Sequence, residues 1–160
     1  MLKKVRVLIV TDREELLDSL FEGVRREDAP KNEREHMEMT VEARYHDDGT
    51  RVSVAWDESD VSGMQGSRTS VSYQKDTPGV VTMMRTGAVK TALVFERGQR
   101  HHCLYQTPIM PFEVAVATHA VKNEIEEKGK LTLDYAIELR GGTCERTRMT
   151  MTILPYYEAP

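Results

Sequence analysis

The stretch Met37-Glu38-Met39-Thr40-Val41-Glu42-Ala43-Arg44-Tyr45-His46-Asp47-Asp48-Gly49-Thr50-Arg51-Val52-Ser53-Val54-Ala55-Trp56-Asp57 decides the fold. Met37, Met39, Val41, Ala43 and Tyr45 alternate with polar residues, the period of two that gives a strand one apolar face. Asp47, Asp48 and Gly49 turn the chain, and Val52, Val54 and Trp56 resume the alternation. An Asp-Gly pair between two alternating runs predicts a β-hairpin.

Outward from this hairpin the same pattern recurs. Strands are predicted over Ser67 to Tyr73, Val80 to Thr86, Thr91 to Phe95, His101 to Tyr105, Phe112 to Val121, Lys130 to Leu139 and Glu145 to Leu154. Thr77-Pro78-Gly79, Gly87, Arg97-Gly98, Thr107-Pro108, Lys128-Gly129 and Gly141-Gly142 punctuate them. A β-branched run, Val5 to Val10, supplies a first strand. With no crossover helices, successive strands pair antiparallel, and a sheet this wide avoids exposed edges by closing. The expected fold is all-β: one antiparallel meander barrel of about eight to ten strands.

One helix is expected after the first strand, over Asp12 to Arg26. Thr11 and Glu14 have capping-box spacing, and Leu16, Leu17, Leu20, Phe21 and Val24 form an apolar stripe at helical period. From Glu27 to Arg34 the chain is polar, contains Pro30 and reads as a connection.

At 160 residues, 39% apolar and 30% charged, the chain suits one globular domain and excludes both disorder and apolar membrane helices. The net charge of −4 comes from residues 12 to 35, which hold nine acidic residues against five basic ones. With no positive excess, neither nucleic acid nor membrane is expected as a partner. The apolar run Val7 to Val10 is too short for a signal peptide, so a cytoplasmic protein is expected. Two cysteines, Cys103 and Cys144, make no disulfide framework and are expected to be reduced.

Several segments carry a resemblance. They are Glu58-Ser59 with Gly63-Met64-Gln65-Gly66, Met84-Arg85-Thr86-Gly87-Ala88-Val89-Lys90, Phe95-Glu96-Arg97-Gly98, Leu104-Tyr105-Gln106-Thr107-Pro108, and Gly129-Lys130-Leu131-Thr132-Leu133-Asp134-Tyr135 with the closing strand Met149 to Leu154. Their order and spacing resemble the YwiB-like family of bacterial calycin-type β-barrels, a domain of unknown function, over Glu35 to Leu154. The resemblance implies a lipocalin-like or fatty-acid-binding-protein-like barrel and no mechanism. The chain departs from the family pattern at Ile109, Met110 and Pro111, where an aromatic and a glycine usually follow Thr-Pro, and in the helix expected after the first strand.

Candidate chemistry is sparse. Arg97, Arg100, His101 and His102, with Arg85 and Lys90 nearby, form the basic concentration of the chain and could meet a phosphate or carboxylate. The bland reading is a solvated turn. His101 and Cys103 share a strand face and could give two zinc ligands or a Cys-His pair, but no CxxC, HxxxH or HExxH pattern completes a site. No phosphate-binding glycine loop or nucleophile elbow occurs, so no catalytic residue, metal ligand set or cofactor is assigned.

Nine methionines and the aromatics Tyr45, Trp56, Tyr73, Phe95, Tyr105, Phe112 and Tyr135 suit a core or an adaptable pocket. Arg85 shares parity with Val81 and Met83, so if that face is internal a guanidinium enters the barrel. The opposite face, Val80, Thr82 and Met84, is nearly as apolar, so the sequence leaves the choice open. The expected ligand site is Arg85, Trp56, Tyr105, His101 and Tyr135, holding a small, partly apolar and optionally anionic molecule without catalysis. The alternatives are a protein-interaction scaffold using the acidic helix or a barrel face, and a small-molecule enzyme at His101 and Cys103.

Overall fold

The computed structural model describes residues 2–15, 33–58, 66–87, 90–106, 111–139 and 142–154. Ten strands run in chain order: β1 Leu2–Glu15, β2 Glu33–Asp47, β3 Arg51–Asp57, β4 Arg68–Gln74, β5 Val80–Thr86, β6 Lys90–Glu96, β7 Arg100–Gln106, β8 Pro111–Glu124, β9 Lys130–Leu139 and β10 Gly142–Leu154. Each pairs antiparallel with its sequence neighbours, and β1 also pairs with β10, so the meander closes into a barrel.

Alternation puts one apolar row of each strand inside. Val5, Val7 and Ile9 of β1 meet Val52, Val54 and Trp56 of β3, Val71 and Tyr73 of β4, and Val81 and Met83 of β5, all under 5% exposed. Leu93 and Phe95 of β6, Leu131 and Leu133 of β9, and Met149 and Met151 of β10 complete the fill. Five of the methionine positions divide as the alternation requires: Met83, Met149 and Met151 are core, while Met37 and Met39 face inward half-buried. Bulges at Thr118/Ala120 on β8 and Thr143/Glu145 on β10 shift the register. The first re-aims the strand so that Val116 and Thr118 before it, and Ile125 beyond it, are all buried.

The helix expected over Asp12 to Arg26 is not found at its start. Asp12 to Glu15 continue β1, and Leu16 to Arg26 lie outside the described residues. Among the described residues the helical turn is α1, Ile125–Lys128, between β8 and β9. Tertiary pairing overrides the Thr11/Glu14 capping signal, because this length of β1 has a ladder partner on both sides. Cross-strand charges reinforce it: Arg13 Nη2 lies 3.0 Å from Glu35 Oε2 and Arg34 Nε 3.8 Å from Glu14 Oε1.

His36 bridges the same seam, with Nδ1 2.5 Å from Asp12 Oδ1 and Nε2 3.1 Å from Glu38 Oε1. The hydrogen bond to Asp12, then that to Glu38, raises its pKa above the ordinary histidine value. A raised folded-state value means this seam is held fully below the unfolded pKa of about 6.5 and loses the contribution as pH rises through the folded one. We expect the His36 ring resonances to titrate above those of an unfolded chain. His36→Gln should remove that part of the pH dependence of unfolding; a His36 titrating at or below the unfolded value would end the bridge.

The two ends of the barrel differ. At the α1 end, Ile125 is 5% exposed, the Tyr73 hydroxyl is buried without a partner, and Lys75 Nζ reaches Asp47 Oδ2 at 2.8 Å and Glu126 Oε1 at 3.4 Å. Burial, then the nearby Glu126, raises the Tyr73 pKa above that of a free phenol, so this end is closed by neutral aromatics and a surface ion cluster. Toward the other end the inward rows turn polar.

Candidate functional site

The ladder register brings inward residues of neighbouring strands to one level: Trp56 pairs with Thr69, Thr69 with Arg85, Arg85 with Thr91, and Thr91 with Tyr105. Arg85 is on the internal face, since Val81 and Met83 of the same row are 0% and 2% exposed while Met84 is 41% exposed. This settles the parity that the sequence left open. Three of the expected site residues, Arg85, Trp56 and Tyr105, therefore share one belt.

Glu58 extends the Val52, Val54, Trp56 alternation one step beyond β3 and is 7% exposed. Its Oε1 accepts from Trp56 Nε1 at 3.1 Å and from Thr69 Oγ1 at 2.5 Å, while its Oε2 is buried with no partner. Arg85 Nε donates to the same Thr69 Oγ1 at 3.3 Å. Guanidinium and carboxylate are thus joined through one hydroxyl. Among the described residues no carboxylate reaches Arg85 within salt-bridge distance, its two terminal nitrogens make no hydrogen bond, and the Thr91 hydroxyl is buried without a partner.

Tyr135 joins this belt to the packed interior. Its ring lies on Phe95 with centroids 4.6 Å apart, tilted by 54°. Burial, then Glu145, pushes its pKa up to about 12, while Arg85, Thr147 and Arg13 pull the other way. The phenol is therefore neutral, beside the Thr147 hydroxyl, which donates to Glu145 Oε1 at 2.8 Å. Arg13 sits behind them: burial works against its charge, but Glu145 at 3.9 Å and Glu35 together outweigh that and raise its pKa.

Apolar residues on inward rows that pack against the core yet keep partial exposure include Met39 and Val41 of β2 and Ile137 and Leu139 of β9. Arg85 itself is partly exposed, so its guanidinium can be approached from solvent.

The other candidates disperse. His101 is near the β6–β7 turn, its Nε2 3.2 Å from Glu96 Oε1, away from the belt. Cys103 is buried, and its thiol has the His101 carbonyl at 3.8 Å rather than the imidazole, so the two form no catalytic pair. Arg100 forks onto Glu138 with contacts of 2.9 to 3.1 Å, and His102 pairs with Glu113 at 3.2 Å. Of the basic concentration, Arg100, His101 and His102 thus each face a carboxylate at the surface, while Arg85 points inward. Among the described residues no three His, Cys, Asp or Glu side chains are placed to hold a metal, and no helix is long and apolar enough to cross a membrane. The residues sequence reading missed are Glu58, Thr69, Thr91 and Arg13. Each had a signal, a polar residue continuing an apolar alternation.

The architecture is that of a closed ten-stranded antiparallel barrel with a packed interior and a polar belt beneath one mouth. The family described as Domain of unknown function (DUF1934) matches residues 23–151, and the chain belongs to that family. The crystal structure of ywiB protein from Bacillus subtilis is similar, with a TM-score of 0.73 at 19% identity, covering 98% of this chain and 94% of that one. At that identity the likeness speaks for the fold. No curated protein matches.

Proposed function

We propose that this barrel is a non-catalytic cytoplasmic binding protein with a shallow cup over the belt, whose ligand is small, partly apolar and acidic and has its acid group on Arg85. The observation that carries the reading is an inward guanidinium that, among the described residues, has no carboxylate partner and both terminal nitrogens open. A fork of donors facing a partly desolvated recess suits a carboxylate or phosphate. Trp56, Tyr105 and Tyr135 of the expected set border the site, and His101 has no part in it. The packed row from Val7 to Met83 excludes a long chain threading the barrel, so the apolar part of the ligand is short and lies against Met39, Val41, Ile137 and Leu139.

Trp56 is the sole tryptophan and reports on the belt directly. We expect hexanoate or norleucine to change its emission saturably. Arg85→Met should weaken that binding about tenfold or more, the worth of a charge-assisted hydrogen bond or two, while stability changes by less than about 1 kcal/mol. Probe binding unaffected by Arg85→Met would remove the anchor. Native mass spectrometry of the full chain from its own host gives an independent reading, a retained small molecule that the variant lacks.

A further inference from the structure

The Arg85 cup just proposed also contains a carboxylate oxygen that nothing in the protein satisfies. Glu58 is more than nine-tenths buried, yet both of its donors, Trp56 Nε1 and Thr69 Oγ1, serve Oε1. A buried carboxylate oxygen with no hydrogen-bond donor is costly and is normally matched by some partner. Among the described residues the donors that remain open here belong to Arg85, Thr91 and the Nε of Arg13, and no described side chain supplies one to Glu58 Oε2.

Charge points the same way. Among the described residues here are two guanidiniums, Arg85 and Arg13, and the carboxylates Glu58, Glu35, Glu145 and Glu15, with Arg13 already paired with Glu35 and Glu145 and close to Glu15. A plain acid bound at Arg85 would bring a further negative charge beside Glu58. A ligand carrying its own cation would not.

Glu58 Oε1 and Arg85 Nε meet one Thr69 oxygen at 2.5 and 3.3 Å, so the two charged groups are a few ångströms apart, not on opposite walls. That separation suits an acid and an amine carried on the same or adjacent carbons. We infer that the cup takes a small zwitterion, an amino acid with a short apolar side chain, its ammonium on Glu58 Oε2 and its carboxylate on the open nitrogens of Arg85. The Thr91 hydroxyl is the natural second donor to that carboxylate, because Thr91 is the register partner of Arg85. Each ligand charge then meets an opposite one, which is the condition under which partly buried charges are tolerated.

The inference rests on the Arg85 reading and is tested so that the two can fail separately. Trp56 emission of the full chain is titrated with norleucine, hexanoate and hexylamine, which share a hydrocarbon and differ in charged groups. Norleucine should bind about tenfold or more tightly than either of the others, each of which gives up one charge-assisted contact. Glu58→Gln keeps an acceptor for Trp56 and Thr69, and should lower norleucine affinity by about tenfold while leaving hexanoate as tight or tighter. Hexanoate equal to norleucine in the unaltered protein, or norleucine indifferent to Glu58→Gln, overturns the zwitterion and leaves the Arg85 cup standing. Hexylamine equal to norleucine removes Arg85 from the site, and a Trp56 emission that no probe moves removes the cup and the inference together.

Discussion

Phe95→Ala should lower stability by about 3–5 kcal/mol, the range for deleting a fully buried phenyl ring. Phe95 is 0% exposed, sits among Val81, Leu93 and Tyr135, and supports the Tyr135 ring at 4.6 Å. The loss combines the transfer of the ring to water with the cavity left by neighbours that a closed ladder prevents from collapsing. For a domain of this size the melting temperature should fall by about 6–20 °C. The same experiment decides between a filled barrel and a hollow one. A ring lining an open cavity would be missed far less, so a cost below about 1 kcal/mol would mean a hollow interior and reopen it to long apolar ligands.

Most of the barrel was legible because antiparallel strands write their two faces into alternate residues. The strand bounds Arg51–Asp57, Val80–Thr86 and Lys130–Leu139 agree with the sequence reading, and each stretch is bounded by a turn with its own Gly, Pro or Asp chemistry. The failure at Asp12 to Glu15 has a specific cause. Capping signals describe what a segment does alone, and these four residues are not alone. Their backbone bonds go to β2 and β10, and Arg13 lies opposite Glu35, an arrangement that no local pattern contains.

The site was half legible for a related reason. Arg85 could be singled out as a charge on an apolar row, but whether that row was internal depended on which of two apolar faces the closed sheet turned inward. Met84 at 41% exposure and Met83 at 2% look the same in sequence and differ only through closure. Thr69 and Thr91 were passed over because a threonine in a strand is unremarked. Each lies one alternation before a core pair, Val71 with Tyr73 and Leu93 with Phe95, and that position makes it a polar step at the end of an apolar column. His101 failed for the opposite reason: its parity was right, but strand direction puts it near the turn end of β7 while Tyr105 is near the mouth.

Gly87→Ala should cost about 2–4 kcal/mol and disturb the belt as well as the fold, because two independent penalties meet there. Its φ of +114° is one that side chains rarely adopt, and a Cβ at this position would stand 2.3 Å from the Gly66 carbonyl oxygen and 3.0 Å from Ser67 Cα. Neither obstacle is a flexible side chain, so backbone must move. The segment that moves is the one whose Ser67 carbonyl accepts the Glu58 amide at 2.8 Å, and Glu58 in turn holds Trp56. Gly49→Ala is the control. Gly49 has a φ of +92° with nothing within 4 Å of an added Cβ, so it carries the conformational penalty alone, about 1–2 kcal/mol. The difference between the two variants measures the close approach at Gly66, and a shifted Trp56 emission should accompany Gly87→Ala only. Equal costs for the two substitutions, with Trp56 emission unchanged in both, would show that the Gly66–Gly87 contact neither limits the mouth nor positions Glu58.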